Sequence, residues 1–196
     1  VVTLHGGAIT TTRTRTCAAI GRVAPEDVAV HGLEAASVAA DAPFADEWEY
    51  FARLRESGPL AAHFASAENH LLKSVWPYAR NVPDFSHAGH TTNSWGAWID
   101  TGRLLPQFFP QFAAAKLERL VADLGLQAEL DSLAGTRCPV GRRRYHAALY
   151  DALAGALLLL TLLRRPEFAA ATIPWLLQMS TLDPERRGEM QQGDLF

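Results

Sequence analysis

Residues 152–163 (ALAGALLLLTLL) are the longest apolar stretch of the chain, and whatever buries them sets the fold. A bilayer span takes about 20 residues, so this run is too short for one, and Gly155 and Thr161 interrupt it. It reads instead as part of the most apolar helix, over 145–163. The chain's 196 residues suffice for one medium domain, or one domain with a tail. With 48% hydrophobic and 20% charged residues it is a globular composition and not a disordered one. Lys and Arg total 18 against 21 Asp and Glu, a net charge of −3, so no global basic field is present to hold a polyanion. Cys17 and Cys138 have neither zinc-site spacing nor the numbers for a disulfide framework. With no charged-then-apolar leader at the start, a cytoplasmic protein that does not engage the membrane is the expectation.

Residues 1–9 (VVTLHGGAI) read as a strand in which Gly6 and Gly7 mark a bulge or close approach. Residues 10–20, with the alternation TRTRT, read as a second strand paired with the first as a hairpin. Residues 21–31 read as a loop around Pro25. A helix is expected over 43–57, a short buried strand at 60–62, a helix from Ser66 to about residue 75, and a polar loop over 81–94. A strand at 95–100 and a helix at 116–124 follow, then a loop holding Cys138 and Pro139, the apolar helix, and a short helix near 168–179 that Pro174 would kink or split. A hairpin followed by alternating strands and helices gives an α/β fold with a mixed sheet.

The segment RRRYHAALYDA, residues 142–152, carries the chemistry-bearing groups His146 and Asp151. Five positions on a regular helix turn through about 140°, so the two side chains converge only if His146 lies in an irregular first turn. The bland alternative is a surface histidine and an unrelated helix aspartate. The order of motifs decides between them: VHGL at 30–33, DAPF at 41–44, LAAHFASAE at 60–68, WIDT at 98–101, KLERL at 116–120, then His146 to Asp151. In that order and spacing, residues 1 to about 163 resemble the DEDDh branch of the DnaQ-like 3′–5′ exonucleases, which includes the proofreading subunit of bacterial replicative polymerases.

The resemblance implies a ribonuclease H-like fold, a mixed β-sheet flanked by helices, that removes nucleoside monophosphates from the 3′ end of nucleic acid. In this family four carboxylates hold two divalent metal ions, Mg²⁺ or Mn²⁺, that activate water and stabilise charge on the phosphate. By position His146 matches the general base, since imidazole titrates near neutrality, and Asp151 matches a direct metal ligand. Glu68 takes the place of the second-motif aspartate, one methylene longer; its alternative is a helix-start acid favoured by the helix dipole. That motif departs further, with Phe64 where the family places Asn. His63 is either a substrate-side group or a satisfied strand-end histidine. Val30 and His31 match the segment that contacts the terminal nucleotide, against the alternative of a tight loop capped by His31. Arg142, Arg143 and Arg144 are candidate phosphate contacts. Asp100 is expected to fix its loop by hydrogen bonding, with an accessory substrate role as the alternative, and Trp76, Trp95 and Trp98 to pack in the core or at a strand edge and not to serve as base-stacking platforms. His87 and His90 make a weak metal case beside Asp84.

The family's first motif, Asp-x-Glu on the opening and central strand, has no counterpart, for no acid precedes Glu26 and the chain opens at Val1 inside an apolar run. The expectation is an exonuclease truncated at its N-terminus, with little or no activity by itself; the rival is a natural non-catalytic adaptor that binds clamp and nucleic acid. An exoribonuclease is a further alternative. The domain reading is an exonuclease domain over 1–165, a helical extension over 166–182 and a flexible tail over 183–196. That tail ends in Gln192, Gly193, Asp194, Leu195 and Phe196, which looks like the short peptide that docks on the bacterial sliding clamp. Expected partners are therefore DNA with a single-stranded 3′ end, or RNA, together with the clamp and a DNA polymerase.

Overall fold

The computed structural model describes residues 1–113 and 115–181. The described chain divides into two compact units, one of residues 1–47 with 118–160, the other of residues 48–117 with 161–181.

In the first unit β1 (Val2–His5) and β2 (Ala8–Thr12) pair antiparallel, with Val2 opposite Thr12 and His5 opposite Ala8. Gly6 and Gly7 both have positive φ, 57° and 76°, as a two-residue hairpin turn requires. The glycines expected to mark a bulge are therefore the turn itself, and the one register shift lies at Thr3/Leu4. The alternating Thr-Arg stretch leaves the strand after Thr12 because its arginines have another partner. Arg13 Nη1 lies 2.7 Å from Glu47 Oε2, and Arg15 Nη1 pairs with Oε1 of the same buried carboxylate. Arg15 Nη2 also donates to the Ala42 carbonyl at 2.6 Å.

Residues 21–31 contain a helix and not only a loop: α1 (Pro25–His31) has Pro at its start and Glu26 and Asp27 in its first turn. Gly32 ends it at φ 71°, donating its N–H to the Val28 carbonyl at 2.7 Å. A 3₁₀ turn over Phe44–Glu47 leads into α2 (Trp48–Ser57), where one continuous helix was expected.

The second unit contains α2, β3 (Leu60–Ala62), α3 (Ser66–Val75), β4 (Val82–Pro83), β5 (Thr91–Thr92), β6 (Trp98–Asp100) and α4 (Thr101–Phe108). β3 and β6 run parallel, Leu60 opposite Trp98 and Ala62 opposite Asp100. Parallel strands need a crossover, here supplied by α3 and the β4–β5 pair. Arg55, 1% exposed, fastens the last part of that crossover by donating from Nε to Ser94 O (3.2 Å) and from Nη2 to Gly96 O (3.1 Å). Trp95 is fully buried and its indole N–H donates to the Trp76 carbonyl at 2.8 Å, as an interior tryptophan requires. Trp98 is half-buried, its indole N–H bonded to Asn69 Oδ1 at 3.1 Å.

Among the described residues the strands thus form three two-stranded sheets with both parallel and antiparallel pairing, a mixed α/β fold in place of the single expected sheet.

Two further helices were missing from the sequence reading. α4 follows β6 directly, capped by Asp100. Beyond α5 (Leu117–Asp123), α6 (Gln127–Arg137) occupies what read as a loop; it buries only Leu130 and Ala134, too few apolar positions to print a periodic stripe. α7 (Ala148–Leu163) is the apolar helix, and Leu153, Leu157 and Leu158 are almost wholly buried. Each such side chain contributes about 1.5–3 kcal/mol. Among the described residues no helix is long and apolar enough to cross a membrane. Finally α8 (Ile173–Ser180) packs against α4 and β6 in the second unit. Pro174 sits in its first turn, where the missing N–H costs nothing, so it starts the helix and does not kink it.

Candidate functional site

The first unit builds its site on the turn before α7. His146 has φ 64°, a left-handed backbone that is costly for a residue with a side chain. Its N–H donates to Asp151 Oδ1 at 3.2 Å. The irregular turn that five-residue spacing demands is therefore present, and it brings Asp151 to the backbone of His146. The imidazole is exposed while Asp151 is half-buried. Burial pushes the Asp151 carboxyl above the ordinary range, and the N–H and ring of His146 pull it partly back.

A network that the sequence reading missed anchors this turn. Tyr145 donates from its hydroxyl to Gln127 Oε1 at 3.2 Å, while Gln127 Nε2 donates to Tyr150 Oη at 2.8 Å. Tyr150 in turn donates to Asp131 Oδ1 at 2.8 Å. The two tyrosine rings meet edge to face with centroids 5.1 Å apart. Burial, followed by the neighbouring Tyr150 and carboxylates, pushes the Tyr145 phenol up to about 12, so it stays a donor across the physiological range. His146 and Asp151 thus adjoin tyrosines tied to α6. The only sequence signal was the pair Gln127 and Asp131, one turn apart on a helix too polar to recognise.

The three arginines serve the same unit. Arg142 Nη1 donates to the His31 carbonyl at 2.6 Å, and Arg143 Nη2 to the Gly135 carbonyl at 2.8 Å near the C-terminal end of α6. Arg144 lies over Gly32, where a Cβ would fall 2.5 Å from its Nη2. Two of the candidate phosphate contacts thus already hold backbone carbonyls. Val30 projects from α1, 51% exposed, while His31 Nδ1 accepts the Leu33 N–H at 3.0 Å, the capping role weighed above.

The second unit holds His63, Phe64 and Glu68. His63 Nδ1 is 3.1 Å from Thr101 Oγ1; its Nε2 is buried without a hydrogen bond of regular geometry. Burial holds its pKa below the usual imidazole value, against smaller opposite pulls from Asp100 and the Ala115 backbone. It is therefore a neutral, inward-facing group at pH 7. Glu68 is exposed in the first turn of α3. Asp100 is almost completely buried and accepts the N–H groups of Phe64 (2.9 Å), Ala65 (3.0 Å) and Gly102 (3.0 Å), fixing its loop as expected. His87 Nδ1 lies 3.3 Å from Asp84 Oδ2. Among the described residues no group of three or more His, Cys, Asp or Glu side chains comes together to hold a metal ion. The donors on view do not fit a two-metal centre by themselves. Gln192, Asp194, Leu195 and Phe196 lie outside the described residues.

No family model matches the sequence. No curated protein matches it either. Its fold is similar to that of exonuclease X, solved in complex with 5′ overhanging duplex DNA, with a TM-score of 0.64 at 19% identity. The likeness covers 92% of this chain and 87% of that one.

The raised Asp151 carboxyl has a consequence for stability. A pKa raised by folding favours the folded state most when the group is protonated. That contribution is whole below the ordinary carboxylate value and is lost as pH climbs through the raised one. Asp151→Asn keeps an oxygen for the His146 N–H and carries no charge to bury. Its thermal midpoint at pH 7 should exceed the parent's by about 1–4 °C, with the gain vanishing below about pH 4. Melting curves across pH check this; a lower midpoint at pH 7 contradicts it.

Proposed function

We propose that this chain is the body of a DnaQ-like 3′–5′ exonuclease that removes nucleoside monophosphates from the 3′ end of nucleic acid, DNA in preference to RNA, in replication or repair. The observation that carries the reading is the left-handed His146 turn bound to Asp151, on a fold similar to an exonuclease's. In this reading the exposed imidazole takes a proton from water, whose oxygen attacks the terminal phosphorus; the bond to the neighbouring 3′ oxygen breaks, and that oxygen, left on the shortened strand, takes up a proton from solvent. Asp151 is the acidic ligand beside that imidazole, and Glu68 is taken as a second acidic ligand from its place in the order of motifs. The described residues alone do not complete the metal pair of such enzymes, so hydrolysis requires further carboxylates, the role an Asp-x-Glu strand fills in the family. That absence of a ligand group also favours a second reading, a non-catalytic adaptor that retains nucleic-acid and clamp binding.

In a protein supplied with that strand, His146→Ala should slow release of mononucleotides from a 3′-labelled strand by about 10²- to 10⁴-fold. Turnover like the parent's removes His146 from the mechanism, and no turnover by the parent favours the adaptor.

The tail sequence adds a tether. Leu195 and Phe196 would fill an apolar pocket of the sliding clamp while Gln192 and Asp194 meet its edge, raising the local concentration of a mildly acidic protein at DNA. Deleting residues 192–196 should abolish clamp binding in surface plasmon resonance and leave binding of free oligonucleotide unchanged; clamp binding that survives the deletion refutes the tether.

A further inference from the structure

Phe64 combines three features that folding alone does not explain. Its φ is 57°, a conformation that costs a bulky residue about 1–2 kcal/mol. Its side chain is 42% exposed, so much of the ring's apolar area stays in water. Its ring is also held from behind. A Cβ at Gly102 would fall 2.6 Å from Cδ1 and Cε1 of Phe64, so the ring rests directly on the bare backbone of α4. The His63 ring meets it edge-on with centroids 4.6 Å apart. Below, the Asp100 carboxylate takes the N–H groups of both Phe64 and Ala65 and locks the turn.

That turn does not need a phenylalanine. Asparagine or glycine adopts the same φ at less cost and keeps the same two N–H bonds to Asp100. The phenyl ring is thus a rigid, half-exposed aromatic face in a backbone that disfavours it. An immobilised ring loses little entropy when a flat π system settles on it, and aromatic–base stacking contributes about 1–3 kcal/mol per base. Resting on the nucleic-acid reading above, we propose that Phe64 is a stacking platform for an unpaired nucleobase of the bound strand. It stands one residue from His63 and four before Glu68, on the loop that leads into α3. Stacking on a ring reads no base identity, which suits a protein that handles strand ends of any sequence.

The test uses the whole chain without added metal and single-stranded oligonucleotides carrying 2-aminopurine at one of the last three 3′ positions. Binding is read by anisotropy and stacking by quenching of the 2-aminopurine. The parent should quench one position strongly, and an abasic residue at that position should weaken parent binding about 5- to 100-fold. Phe64→Asn, which keeps the backbone geometry, should show the same loss with the intact oligonucleotide and none beyond it with the abasic one. Phe64→Tyr should restore both binding and quenching. If Phe64→Asn binds within about twofold of the parent with unchanged quenching, the platform is refuted while nucleic-acid binding stands; an apolar protein partner then becomes the occupant to seek. The abasic comparison on the parent decides the matter even if the Asn variant folds poorly. If the parent binds no oligonucleotide at all, the nucleic-acid reading fails first and the platform with it.

Discussion

An aspartate carboxylate that accepts the N–H of a left-handed residue is the constraint on which both candidate regions depend. Phe64 and His146 are the non-glycine residues with positive φ among those described, and each donates its N–H to an aspartate, Asp100 and Asp151 respectively. Each aspartate also stands at the start of a helix, Asp100 capping α4 and Asp151 in the first turn of α7. Each of these hydrogen bonds offsets part of a backbone penalty of about 1–2 kcal/mol. The result is the same in both units: a ring-bearing side chain at the surface, with its backbone locked from behind.

The two aspartates differ in how far their charge is compensated. Asp100 has three backbone N–H partners and the Arg103 guanidinium 3.4 Å away, an arrangement that serves structure. Asp151 is half-buried, and its carboxyl is pushed up because the His146 N–H and ring compensate burial only in part. A carboxylate left short of positive charge destabilises the fold slightly. The surrounding residues make the turn rigid: Gln127 ties together the tyrosines on either side of it, and Arg142 fastens the chain just before it to the end of α1.

Much of this was legible in the sequence, for reasons that can be named. The apolar helix and the 60–62 strand announce themselves by hydrophobic runs and by Gly58-Pro59 before the strand, and α3 by Ser66 at its start. The irregular turn at His146 was readable as a condition, because 3.6 residues per turn keeps positions five apart from sharing a face in a regular helix; that Asp151 meets its backbone N–H was not. α1 was missed although Pro at its start, two acids in its first turn and Gly after its end spell a short helix; the apolar stripe that usually draws attention is absent, and none of its residues is buried. α6 hid for the same reason, and with it the network of Gln127 and Asp131. Arg13 and Arg15 read as strand because alternation fits a pleat, yet their guanidinium groups converge on Glu47, a contact across more than 30 residues that no local pattern records. The carbonyls that Arg142 and Arg143 reach, on His31 and Gly135, leave no local mark in the sequence.

The most direct test of the account is the thermal shift of this chain with single-stranded DNA that has a free 3′ end, set against the same strand closed into a circle. A ligand near 100 times its Kd stabilises the folded state by about 2.7 kcal/mol, several degrees for a protein of this size. A fold that receives strand ends predicts a clear rise with the linear strand and a much smaller one with the circle. Equal shifts, or no shift with either, would contradict it.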